Sequence, residues 1–254
     1  MESLAYAGWP HCYRLANEHI ELIATGDVGP RIIHLGAPGG DNLFAVLPEQ
    51  AGLTGGDAYR LYGGHRLWHA PQARPRSELP DNAPVQGRAE GDTLRLIQPV
   101  EPASGIQKEI ALTLGAGAHV EVRHRLANRG LWSVELAPWA LSMMAPAGLA
   151  IVPQCATAEP EVSPNRVFTL WPFSDGCDPR LHWGRRYTLL RQDPANPEPF
   201  KIGLNATAGW AAYYRRGQLL LKAFRYDPAA TYPDWGSSVE LFVCAPFLEL
   251  ETLG

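Results

Sequence analysis

The chain has 254 residues, a hydrophobic fraction of 46% against 19% charged residues, and a formal net charge of −4. That balance is ordinary for a globular protein and lacks the basic excess that nucleic acid or an anionic membrane surface would select, so neither partner is expected. No window approaches the 18 uninterrupted apolar residues of a spanning helix, and no basic stretch followed by an apolar run opens the chain, so a cytoplasmic location is expected.

Twenty-five glycines and 23 prolines, spread through the chain, cut it into segments too short for most helices. In chain order, β-branched or alternating segments predict strands at 19–25, 31–35, 93–98, 107–114, 119–126, 133–141, 187–191, 209–214, 219–225 and 238–244. The pattern is plainest in HVEVRHRLAN. There Val120, Val122, His124 and Leu126 share one side, and His124 is expected to be a hydrogen-bonded core histidine. Long loops are expected at 70–92 and, because of three prolines, at 193–200, with turns at 175–180 and 227–235. The four cysteines, Cys12, Cys155, Cys177 and Cys244, form no CxxC pair and read as reduced thiols. The whole predicts one all-β domain over 1–254, a large antiparallel β-sandwich with few or no helices.

Two segments carry chemistry. In YGGHRLWHAP, two imidazoles, a guanidinium and an indole follow a flexible glycine pair. His and Arg match the hydroxyls of a sugar, and the flat face of Trp matches its C–H face. If the segment is extended, His65, Leu67 and His69 share one face while Arg66 and Trp68 take the other. In the closing APFLELETLG, Phe247, Glu249, Glu251 and Leu253 share a face, which sets two carboxylates about 7 Å apart. Such a pair divides into acid and base where burial raises the pKa of one partner. The bland alternatives are a polar strand end capped by a buried Trp, and a solvated edge bearing two surface acids.

These two segments, with Gly29-Pro30-Arg31-Ile32-Ile33 followed by Asn42-Leu43, and with Lys201-Ile202-Gly203, Gly209-Trp210 and Tyr232-Pro233-Asp234, resemble the galactose-mutarotase-like superfamily, in an uncharacterised branch of it. The resemblance implies an antiparallel supersandwich that binds a small sugar or sugar derivative in a cleft. In aldose 1-epimerases a Glu within Leu-Glu-Thr-Gln is the general base, and Leu250-Glu251-Thr252-Leu253 is similar, so the resemblance gives Glu251 that role. It also implies a general-acid His in a His-x-Tyr-Phe segment. Here the corresponding stretch is PWALSM around Trp139, without His. Loss of a general acid typically costs about 10²–10⁴-fold in rate. His65 is therefore the expected substitute, with Arg66, His69, Trp139, Glu249, Lys201 and Asp234 as expected substrate contacts.

No cofactor is expected, since the chain has no dinucleotide fingerprint, phosphate loop, serine elbow or HExxH. Three alternatives stay open: non-catalytic sugar binding, a structural or accessory role, and a metal-assisted sugar enzyme using His65 and His69. Relatives run on beyond the Glu-Thr segment, so closing strands supplied by a partner, or a homo-oligomer, are further expectations.

Overall fold

Alternating segments separated by glycine and proline fold into antiparallel strands, and the chain is all-β and sandwich-like with almost no helix. The computed structural model describes residues 1–155 and 164–254. Contacts divide the chain into two compact units, Met1–Ser142 and Met143–Gly254. Among the described residues no helix is long and apolar enough to cross a membrane. All four cysteines are unbonded.

In the first unit β1 (Glu2–Tyr6), β2 (Trp9–Ala16), β3 (Glu21–Thr25), β4 (Arg31–Gly36) and β5 (Gly64–Ala70) pair antiparallel in chain order. A second meander, β6 (Gln86–Glu90), β7 (Thr93–Ile97), β8 (Ile106–Leu114) and β9 (Val120–Asn128), forms the other sheet. β10 (Ala137–Met144) runs across the boundary between the units. Strand β8 shows the alternation directly. Ile106, Lys108, Ile110 and Leu112 are buried, while the residues between them are half-buried. Trp9, Cys12, Ile23, Val28, Ile33 and Tyr62 form one packed cluster of the core.

The second unit contains β11 (Leu149–Pro153), β12 (Phe168–Leu170), β13 (Leu181–Trp183), β14 (Tyr187–Arg191), β15 (Phe200–Leu204), β16 (Trp210–Arg215), β17 (Gln218–Ala223), β18 (Val239–Cys244) and β19 (Phe247–Leu253). Five of them run in the order β13-β14-β11-β16-β17, and the remaining four in the order β19-β18-β15-β12. The proline-rich loop expected at 193–200 lies at 192–199, because Phe200 already opens β15.

Each of the ten predicted strands is present, with shifts that have local causes. The first begins at Glu21 rather than His19 because Asn17 Oδ1 accepts from the amides of His19 and Ile20 and holds them in a turn. The strand predicted at 133–141 lies at 137–144. Asn128 accepts from Gly130 N and donates to the Trp132 carbonyl, which folds the preceding residues into a loop. Part of the predicted 70–92 loop is strand β6, closed onto β7 by a turn at Gly91 and Asp92.

Candidate functional site

The glycine pair that the sequence suggests is flexible is held by close packing instead. A Cβ at Gly63 would collide with the Ala45 carbonyl oxygen and one at Gly64 with that of Ile32, and both residues have positive φ. The chain thus enters β5 against its neighbours, and all seven residues of that strand are buried.

Extended geometry separates the side chains of β5 as expected. His65 Nδ1 lies 2.8 Å from Ser142 Oγ, and its Nε2 lies 2.7 Å from His124 Nε2, so one proton is shared between the two rings. His124 is half-buried and hydrogen-bonded. Phe44 stacks on His65. Arg76 Nη1 donates to His69 Nδ1 at 2.9 Å, which requires a neutral imidazole there. Burial first, then the positive charges of Lys108 and Arg76, pull His69 down to about 4. On the opposite face Arg66 stacks over Trp68, 4.1 Å from its ring centre, and reaches Tyr59 Oη at 3.4 Å. Trp139 meets Trp68 edge to face. Arg66 and Trp139 are therefore brought together on Trp68, whereas His65 and His69, about 13 Å apart along a strand, hold different partners. Among the described residues no group of three or more His, Cys, Asp or Glu is arranged to hold a metal ion.

The second unit gathers the acidic residues. Ala245 and Pro246 form a two-residue connection that sets the register Glu240↔Glu251, Leu241↔Leu250 and Phe242↔Glu249. Strand β15 adds Lys201↔Phe242 and Gly203↔Glu240. With a period of two, Lys201, Gly203, Glu240, Phe242, Glu249 and Glu251 share one face, and Ile202, Leu241, Leu250 and their neighbours share the other. Lys201 Nζ lies 2.7 Å from Glu240 Oε2 and 3.2 Å from Glu251 Oε2, and 4.6 Å from the centre of the Trp171 ring. Ser174 Oγ anchors the Trp171 segment to β15 by accepting from Lys201 N and donating to its carbonyl. Asp234 lies beside Glu240 and closes a turn in which Asp234, Trp235 and Gly236 all have positive φ. That turn presents Trp235 at 87% exposure.

Charge balance polarises this face. Burial raises the Glu240 carboxyl well above the usual range, with Glu251 adding to the rise and Lys201 opposing it. Burial works against the Lys201 ammonium, but Glu251 and Glu240 outweigh it and raise its pKa. Lys222 Nζ donates to the Leu250 carbonyl at 3.2 Å, and burial pulls this ammonium down to about 7 against the attraction of Glu251.

Four residues expected from the sequence, Lys201, Asp234, Glu249 and Glu251, thus fall on one sheet face or on the turn beside it. Glu240 and Trp171 were not expected. Glu240 has a legible signal, because a two-residue reading of Ala245-Pro246 puts it opposite Glu251. Trp171 reaches Lys201 from a separate segment, which local pattern does not reveal. Neither carboxylate of the solvated-edge alternative is on the surface: Glu249 is 8% exposed and Glu251 0%.

No family model matches the chain, and no curated protein matches it. Among solved structures, the crystal structure of a TPR-domain containing protein from Parabacteroides distasonis ATCC 8503 is similar, with a TM-score of 0.50 and 13% identity. The match covers 94% of this chain and 42% of that chain, so this chain spans less than half of that protein's length. At such identity the likeness concerns the fold alone.

Proposed function

We propose that the protein binds a sugar or sugar derivative and acts on it as an aldose 1-epimerase-like isomerase, as the resemblance to the galactose-mutarotase-like superfamily implies. The observation that carries this reading is the Lys201 ammonium held between Glu240 and Glu251 on one sheet face. Two carboxyl groups in unlike surroundings are what paired acid and base chemistry requires. Glu251 takes the proton of the anomeric hydroxyl. Glu240, whose hold on a proton is strengthened by burial, gives one to the ring oxygen. Both oxygens are bonded to the same carbon, so neighbouring carboxyls on one face can reach both. This assignment supplies the acid missing near Trp139, where the expected substitute His65 is engaged by Ser142 and His124. Displacement of Trp171, which covers Lys201, is the step that admits the sugar, and Trp235 offers a ring face for its C–H surface.

Optical rotation of freshly dissolved α-D-glucose and α-D-galactose tests the reaction. The expected result is relaxation faster than buffer, falling about 10²-fold or more in Glu251→Gln and in Glu240→Gln. A specific observation favours a second reading, non-catalytic sugar binding or an accessory role: Glu240 and Glu251 are both 0% exposed. That reading predicts relaxation at the buffer rate, and calorimetric titration with the same sugars then separates binding from its absence.

A further inference from the structure

A cavity of about 410 Å³ in the first unit lies between three loops, at 55–57, 79–83 and 98–103. It falls within the range of roughly 300–1,000 Å³ usual for small-molecule sites. Hydrogen bonds tie its walls together. Asn82 Nδ2 donates to the carbonyls of Gly56 and Ala58, Gly55 N donates to the Asn82 carbonyl, and Tyr62 Oη donates to Asn82 Oδ1. These bonds fix the spacing of the first two loops, which limits the ordering that binding would require.

The lining is largely apolar, from Leu79, Val100 and three prolines, with Asp57, Asp81, Asn82, Gln98 and Glu101 as its polar side chains. No Lys, Arg or His lines it. Arg31 holds Asp81 at 2.7 Å and Lys108 pairs with Glu101, and both cations are buried outside the lining. Arg60, beside Gly56, donates to the Gly55 carbonyl and to Tyr62 Oη. The donors around the cavity are thus engaged, while acceptors are in excess. Gln98 sharpens this. It is 5% exposed, its Nε2 donates to Glu101 Oε1 at 3.1 Å, and that bond fixes which way the amide points. Its Oε1 is sealed in the cavity wall with no hydrogen-bond partner among the described residues, an unsatisfied acceptor that favours an incoming donor once the side chain turns toward the cavity.

We propose that this cavity binds a small organic ammonium ion with an apolar body, the ammonium donating to Gln98 Oε1 and the Asp57 carboxylate and the body lying on Leu79 and Val100. The site stands apart from the sugar reading and does not depend on it.

The probe is benzylamine, with benzyl alcohol and benzoate as neutral and anionic counterparts, titrated into the 254-residue chain and followed by amide ¹H–¹⁵N spectra. Saturable shifts confined to the three loops are expected with benzylamine. Affinity should fall about tenfold in Asp57→Asn, an exposed position that leaves the fold alone, and in Gln98→Leu. Val100→Trp, at a position 41% exposed, fills the cavity and should abolish the shifts while leaving the remaining spectrum unchanged. The proposal fails if benzoate or benzyl alcohol binds as tightly as benzylamine, if Val100→Trp binds undiminished, or if no saturation appears by about 10 mM.

Discussion

Lys201 stands where the second unit concentrates its charge. Its ammonium is buried beside Glu240 and Glu251, and attraction within such a cluster is set against the loss of water around every charge in it. Removing the cation alone leaves the carboxylates buried together. Lys201→Met should therefore lower unfolding free energy by about 3–5 kcal/mol at neutral pH, measured by urea denaturation. The loss should shrink as the solution is acidified, because protonated carboxyls no longer need the ammonium. A loss independent of pH would assign Lys201 a packing role instead. Gly203 belongs to the same face for a different reason. A Cβ there would run into Ser237 Oγ, which donates to the Asp234 carbonyl at 2.9 Å. Gly203→Ala should lower stability by about 1–3 kcal/mol and shift the amide signals of the 234–237 turn.

Among the elements, β4 is fastened to its surroundings by one side chain. Arg31 is fully buried, donates to the carbonyls of Leu61 and Gly63 at 2.9 and 2.8 Å, and meets Asp81 at 2.7 Å. One planar fork joins a strand to two loops, a geometry that an ammonium does not reproduce. Arg31→Met should cost about 3–5 kcal/mol, and Arg31→Lys should recover only part of it in the same denaturation assay. Nothing local in Gly-Pro-Arg-Ile-Ile announces this clamp, since its acceptors lie 30 to 50 positions away. Strands with strong alternation, such as β8 and β9, were legible because the period of two survives in the residues themselves. Strand β6, QGRAE, was not. It is exposed along most of its length, so it carries no apolar period, and only pairing with β7 makes it a strand. The acidic face was half legible: Glu249 and Glu251 declare themselves by spacing, whereas Glu240 and Lys201 join them through register.

Across the whole molecule, stability should depend on pH through groups in different units. His69 has a native value near 4 against an unfolded value of about 6.5. Between those values the unfolded chain binds more protons than the native one, so stability rises with pH through that window and is lost as pH falls through it. Lys222, with a native value of about 7 against about 10.4 unfolded, gives a second rise between pH 7 and 10. Glu240 acts with the opposite sign. Its raised native value means the folded state keeps a proton that the unfolded chain releases above about pH 4.3, so its contribution falls as pH rises. Each contribution can be isolated by difference. His69→Gln should flatten the rise between pH 4 and 6.5 while leaving the alkaline one, and Lys222→Met should do the reverse. The charges acting on His69 are Lys108, Arg76 and Glu101, and the charge acting on Lys222 is Glu251. With no shared partner, the double variant should show the two changes added, to within about 0.5 kcal/mol at each pH in urea titrations. A double variant that departs from the sum by more than that would mean the two groups titrate as one system.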